Sequence, residues 1–161
     1  KKKTALHVAA EQGHAAVVEY IVSVTEGVLN LETDSLGANV LHYACLSGHM
    51  DLVSFVMKAC QVPVSEPDSR GELPLHWAVR SGRLEVVSLL VERYGCKINT
   101  YVPKRVNTPY DMAKAAGHKK LAEYIKNKGG LTTKKMEKKR EEELARDIPR
   151  HLESALAING L

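Results

Sequence analysis

Aromatic residues are scarce in this 161-residue chain: Phe55 and Trp77 are the single phenylalanine and the single tryptophan. A core must therefore come from small side chains, chiefly Ala, Val and Leu. The cysteines, Cys45, Cys60 and Cys96, are three and widely dispersed. An odd, scattered set indicates no disulfide framework, and no pair has the spacing of zinc ligands. Reduced thiols fit a cytoplasmic or nuclear location. No apolar run approaches the roughly 20 residues that span a bilayer. Charge of one sign does not dominate either. Residues 1–125 hold 14 basic and 13 acidic side chains, and residues 126–150 hold 9 and 5, so the basic excess belongs to the tail. Ser-His-Asp, Cys-His, phosphate-loop and paired-carboxylate patterns are also missing, so catalysis is not expected. No cofactor and no metal ion is expected.

What the chain does contain is a phrase repeated at a fixed interval. It reads Ala5-Leu6-His7, Val40-Leu41-His42, Pro74-Leu75-His76 and Pro109-Tyr110-Asp111, and each copy is followed by a glycine: Gly13, Gly48, Gly82 and Gly117. The glycines lie 35, 34 and 35 residues apart. Such a period marks an array in which neighbouring units stack to bury a shared core. Small residues after the histidine (Val8-Ala9-Ala10, Tyr43-Ala44-Cys45, Trp77-Ala78-Val79) let one short helix approach the next. Cys45 stands on an alanine position and is read as a small core residue. The glycines fall where a helix ends in a left-handed turn. A second helix follows, with apolar residues three and four apart, such as Val17, Val18, Ile21 and Val22. Asp34-Ser-Leu-Gly37 and Asp68-Ser-Arg-Gly71 are turn sequences between units.

These four copies closely resemble the ankyrin repeat, whose signature is Thr-Pro-Leu-His-x-Ala with a glycine ending the first helix. The resemblance covers about residues 3–128. It implies an all-α solenoid of helix-turn-helix units with short β-hairpin loops. The units are repeats at about 1–33, 34–67, 68–102 and 103–128 of a domain spanning 1–128, and 129–161 form a helical extension. The leading threonine is kept at Thr4 and Thr108 and replaced by Asn39 and Leu73. Asp111 replaces the histidine of the fourth copy, and its hairpin Pro103-Lys104-Arg105-Val106 lacks the turn glycine, as in a terminal unit. No hairpin precedes the first motif, which leads us to expect more repeats or another domain upstream.

Six of the seven histidines fall on repeat positions: His7, His42 and His76 in one set, His14, His49 and His118 in the other. A residue copied once per unit behaves as structure rather than as a catalyst or ligand. The first set is expected to hydrogen-bond neighbouring hairpins.

Binding is what the resemblance implies, through a concave groove of hairpin tips and exposed positions of the first helices. The helix positions are Glu11, Gln12, Leu46, Ser47, Arg80 and Ser81, with Ala115 and Ala116 in the fourth unit. The hairpin positions are Ser35, Leu36, Ala38, Ser69, Arg70, Glu72, Lys104, Arg105 and Asn107. Leu36 and Leu46 are apolar where solvent is expected. Arg70, Arg80, Lys104 and Arg105 gather toward the third and fourth units. Aliphatic anchors beside arginines suit a peptide carrying an acidic residue. Trp77 and Tyr43 occupy the site after the histidine, where inter-repeat packing is the expected role. One edge of Trp77 is open to the groove in this reading.

Gly129-Gly130 should end the last repeat helix. Thr132 or Thr133 caps a new one, dense in Lys and Glu. Leu144, Ile148, Leu152 and Leu156 make an apolar stripe expected to pack on a neighbour. Pro149 predicts a break in that helix, with Asp147 capping a second short one. Interleaved glutamates and absent aromatics argue against nucleic acid or acidic lipid as the target of Lys134, Lys135, Lys138, Lys139 and Arg140. The chain is thus read as a protein-interaction module or scaffold. The alternative is a regulatory or targeting segment of a larger enzyme or channel, with the tail as connector.

Overall fold

The computed structural model describes the backbone of residues 2–158 and the side chains of residues 2–148 and of Leu152. Its elements are α1 (Ala5–Glu11), α2 (Ala15–Val24), α3 (Val40–Ser47), α4 (Met50–Phe55), α5 (Pro74–Arg80), α6 (Leu84–Glu92), α7 (Pro109–Ala115), α8 (Lys119–Asn127) and α9 (Thr133–Ile158). A π-helical turn, Val56–Cys60, prolongs α4. Eight of these helices make four antiparallel pairs. The first helices pack side by side in one row (α1, α3, α5, α7), and α2, α4 and α6 in a second. The core between the rows is aliphatic, with Leu6, Leu41, Leu52, Leu75, Leu90 and Ile125 almost fully enclosed. Leu156 lies outside the described side chains.

The motif histidines tie each unit to the next. His7 Nδ1 accepts the Thr4 N–H at 3.1 Å while Thr4 Oγ1 accepts the His7 N–H at 3.3 Å. An Nδ1 that accepts leaves the proton on Nε2, which donates to the Glu32 carbonyl at 3.0 Å. His42 repeats the arrangement with the Asn39 N–H and the Glu72 carbonyl, and His76 with the Leu73 N–H and the Thr100 carbonyl. Asn39 does the work of the missing threonine, since its Oδ1 accepts the His42 N–H at 3.1 Å. Leu73 has no side-chain acceptor, and the His76 N–H turns to the Leu73 backbone carbonyl at 2.9 Å. Burial pushes His42 and His76 below the usual histidine range, with the carbonyl bonds pulling the other way. These rings are therefore neutral, donating and accepting at once.

The second set points the opposite way along the stack. His118 Nε2 meets the Arg80 carbonyl at 3.0 Å, and Arg83 Nε donates to the Leu46 carbonyl at 3.0 Å. Each of these side chains lies over the glycine of the preceding unit. A Cβ at Gly13 would strike the His49 ring; at Gly48 it would meet Arg83 Cδ at 2.6 Å, and at Gly82 the His118 ring at 2.8 Å. The glycine is thus required twice, by a left-handed φ of +73° to +79° and by the side chain seated on it.

In the fourth unit Asp111 reverses the polarity of the histidine position. A carboxylate cannot donate, and instead its Oδ2 accepts the Thr133 N–H at 2.7 Å. Thr133 Oγ1 accepts the Thr108 N–H at 3.0 Å. Thr132, the N-cap, accepts the Lys135 N–H at 3.1 Å. Asn99 holds the preceding turn through the Leu131 N–H and the Gly129 carbonyl. The start of α9 is thereby fixed where the sequence of the other units would place another hairpin, with a carboxylate at its positive end. Beyond Glu137 the described side chains of α9 are exposed, Leu144, Ile148 and Leu152 among them. The stripe expected to pack on a neighbour packs on nothing among the described residues. The break expected at Pro149, with Asp147 as a second cap, is also not found: α9 is one helix of 26 residues. On a solvated helix the carbonyl that loses its partner to proline bonds water instead.

Candidate functional site

Three hairpins project from the stack, and each is built around one residue. Asp34 Oδ1 accepts the N–H groups of Leu36 (2.9 Å) and Ala38 (3.0 Å), and Oδ2 accepts the Tyr43 hydroxyl. Asp68 does the same one unit on: Oδ1 accepts the Arg70 and Glu72 N–H groups, both at 2.9 Å, and Oδ2 accepts the Trp77 indole N–H at 3.0 Å. Burial opposes the Asp34 charge most, but the Tyr43 hydroxyl and the two backbone donors outweigh it and lower its pKa. The Tyr43 hydroxyl is pushed up, first by burial and then by the Asp34 charge. The third hairpin has Val102 at the equivalent place and is closed by paired Val102–Val106 bonds of 2.9 Å. Lacking the glycine, its turn puts Lys104 itself at a left-handed φ of +64°. No strand is formed among the described residues.

The tips are linked into a row. The Ser69 N–H donates to the Leu36 carbonyl at 2.8 Å and its hydroxyl at 2.5 Å, and the Arg105 guanidinium donates to the Ser69 carbonyl at 3.1 Å. Ser35, Leu36, Ser69, Arg70, Lys104 and Arg105 are all exposed along this row. Directly behind it, Arg70 and Arg80 converge on Glu72, which is 9% exposed. Arg70 also lies 3.8 Å from the buried Asp68 carboxylate, and the Arg80 guanidinium stands 5.9 Å from the Trp77 ring. Of these two arginines Arg80 is therefore held by Glu72, while Arg70, its side chain 57% exposed, lies farther from the carboxylates and keeps a side open to solvent.

The other expected site residues are spread out. Ala38 and Trp77 are buried, so neither offers side-chain surface. Trp77 packs edge-on against Tyr43 and His42, both at 5.1 Å between ring centres, and its N–H is committed to Asp68. The open edge expected of it is filled by these neighbours. Glu72 is withdrawn by its ion pairs. Leu46 is half-buried against the core, and Ser47 Oγ donates to the Ala44 carbonyl at 2.7 Å in the last turn of α3. Arg80 and Ser81 are half-buried, Gln12 is exposed and Glu11 pairs with Lys3 at 3.0 Å. Asn107 accepts from Thr133 Oγ1 at 3.5 Å, at the root of α9.

Sequence reasoning treated Asp34 and Asp68 only as turn residues and missed their tie to the aromatics. The signal was available. Each aspartate precedes an aromatic by nine residues (34 and 43, 68 and 77), whereas in the fourth unit the corresponding residues, Val102 and Met112, are apolar and ten apart.

No cluster of His, Cys, Asp and Glu among the described residues could hold a metal ion, and no described helix is long and apolar enough to cross a membrane. Burial raises the thiol of Cys45 strongly and that of Cys96 to about 11, so neither is an activated nucleophile. The face consists of backbone-pinned loops with side chains projecting from them, an arrangement that holds a surface in place.

A family model described as ankyrin repeats (3 copies) matches residues 6–102. Among curated proteins no match is found. Among solved structures, a chain of the complex between the predatory endopeptidase Bd0816 of Bdellovibrio bacteriovorus and the immunity protein Bd3460 is 31% identical with a TM-score of 0.65. The match covers 80% of this chain and 65% of that one, just under two thirds of the other's length.

Proposed function

The chain belongs to the ankyrin-repeat family, and from that premise we propose that it binds a protein partner along the row of hairpin tips. The observation that carries the proposal is the bonding of the tips into one continuous edge. Leu36, Ser69 and Arg105 are joined tip to tip, and two hairpins are pinned from beneath by buried aspartates. A surface already ordered loses little conformational freedom on binding, so its contacts count nearly in full toward affinity. The neighbour solved in a protein–protein complex supports the coarse reading.

The ligand suited to this edge is a peptide or a folded partner with one apolar and one acidic residue. The apolar residue rests on Leu36, which is 45% exposed. The acidic residue meets Arg70, Lys104 and Arg105 at the tips rather than Arg80, which Glu72 holds. Exposed charges of this kind set the rate and selectivity of association more than its strength. The reading as a segment that regulates or targets a larger polypeptide is favoured by one observation: among the described residues α9 is anchored at its start, and Leu144 and Ile148 farther along it are exposed.

The test is affinity capture from extract with the wild type and with the Leu36→Asp/Arg70→Glu double variant, both at exposed positions. Partners held by the wild type and lost by the variant support the tip row. Equal capture by both sends the function to another surface.

A further inference from the structure

A cleft of about 440 Å³ lies across α7, α8 and the turn between them. Lys114, Lys119 and Lys126 line it, Tyr110 and Ala122 supply apolar surface, and Glu123 is its one carboxylate. Among the described residues none of these four charged side chains forms an ion pair. Lys114 stands over the Tyr110 ring at 5.6 Å. Three cations against one carboxylate leave the cleft positive, with an apolar patch between the lysines.

The exposed part of α9 has the opposite character. An α-helix turns by about 100° per residue, so Glu141, Leu144, Asp147 and Ile148 share one face within about a third of a turn. All four are exposed. Arg140, at the edge of that face, is occupied by Glu137 at 3.9 Å. Lys138, Lys139 and Arg146 point away from it at the same helical spacing. The spacings also match. Glu141 and Asp147 stand about 9 Å apart along α9, and Lys119 and Lys126 about 10.5 Å apart along α8. Leu144 lies between the two carboxylates, as Ala122 lies between the two lysines.

Cleft and helix face do not meet within one chain. The start of α9 is fixed beside α7 by Asp111 and Thr108, and its described side chains beyond Glu137 are exposed. We propose that the lysine cleft receives the face of α9 made by residues 141–148 of a second copy of this chain. A second copy is the fitting occupant because the same chain carries both complementary surfaces. Exchange of α9 about a two-fold axis makes the contact twice and leaves neither surface unpaired, so the assembly closes as a dimer. The carboxylates bring the lysines together with a partner of their own spacing, and Leu144 and Ile148 cover the Tyr110 and Ala122 surface.

The experiment is sedimentation equilibrium of the full-length polypeptide at up to about 100 µM, where a micromolar contact is filled. The wild type is expected to be dimeric. Lys119→Glu/Lys126→Glu and Glu141→Lys/Asp147→Lys change exposed positions only. Each should raise the dimer dissociation constant at least about tenfold, because like charges then face each other. Mixing the two variants pairs an acidic cleft with a basic helix, and a native cleft with a native helix. The mixture should therefore dimerise within about threefold of the wild type. Such restoration cannot come from unfolded chains, and circular dichroism checks the fold of each variant separately. A monomeric wild type overturns the proposal. So does a dimer that either variant leaves intact, and so does a mixture that stays dissociated. The tip-row reading is untouched by any of these results, since the two surfaces share no residue.

Discussion

Replacing Asp34 or Asp68 by asparagine removes the same charge from equivalent hairpins, yet the two changes should cost different amounts. Asp68 serves donors on both oxygens: two backbone N–H groups on Oδ1 and the Trp77 indole N–H on Oδ2. An asparagine has one oxygen, so one side must face an amide nitrogen against a donor. The indole cannot adapt, because it only donates. At Asp34 the partner of Oδ2 is the Tyr43 hydroxyl, which rotates and accepts from the new amide. Bonds to a charged group contribute about 1.5–3 kcal/mol, and a buried donor left without a partner costs about 1–3 kcal/mol. Asp68→Asn is therefore expected to lose about 2–3 kcal/mol, and Asp34→Asn about 1 kcal/mol less. Arg70, whose side chain is 57% exposed, adds little to the difference because solvent screens its attraction to Asp68. For a chain of this size each kcal/mol moves Tm by about 2–4 °C. Urea unfolding followed by circular dichroism, with the slope checked because repeat arrays can unfold unit by unit, measures both variants. Equal losses, or a larger loss for Asp34→Asn, would refute the claim that the aspartate–aromatic ties hold the hairpins.

Three other outcomes follow from the bonding. His42 and His76 have folded-state pKa values below the unfolded 6.5, so their contribution is complete above that pH and is lost as pH falls through the folded values. Asp34, also lowered, adds a second loss below its unfolded value of 3.8; stability measured by urea titration across pH 8 to 3 should fall in these two stages. Lys104→Gly relieves a left-handed lysine at φ +64° and should stabilise by about 0.5–1 kcal/mol in the same assay. Asp111→Ala removes the acceptor of the Thr133 N–H, and hydrogen exchange at Thr133 should speed up at least about tenfold while exchange in α5 is unchanged.

Much of the fold was legible because one pattern is written four times. His7, His42 and His76 could be assigned to inter-unit bonding from their period alone, and the glycines to left-handed helix ends. The glycines' second role was hidden, because nothing local to Gly13, Gly48 or Gly82 tells that the side chain 35 or 36 residues later lies on it. Asp111 could be seen as a departure, but not that it exchanges a donor for an acceptor and so fixes the start of α9. Pro149 misled because a proline penalty is local, whereas α9 is a continuous solvated helix. On the tip face, sequence named the hairpin loops but could not separate the exposed Leu36, Arg70 and Lys104 from the buried Ala38, Glu72 and Trp77. That separation depends on which side chain finds a partner, and Glu72 and Trp77 find theirs within their own unit.

The most direct test of binding along the hairpin edge is hydroxyl-radical footprinting of the chain with its captured partner. Protection concentrated on Leu36, Arg70, Lys104 and Arg105, with Tyr94 and α9 unchanged, is the expected result. Protection confined to α9 or to the second helices, with the tips as reactive as in the free chain, would contradict it.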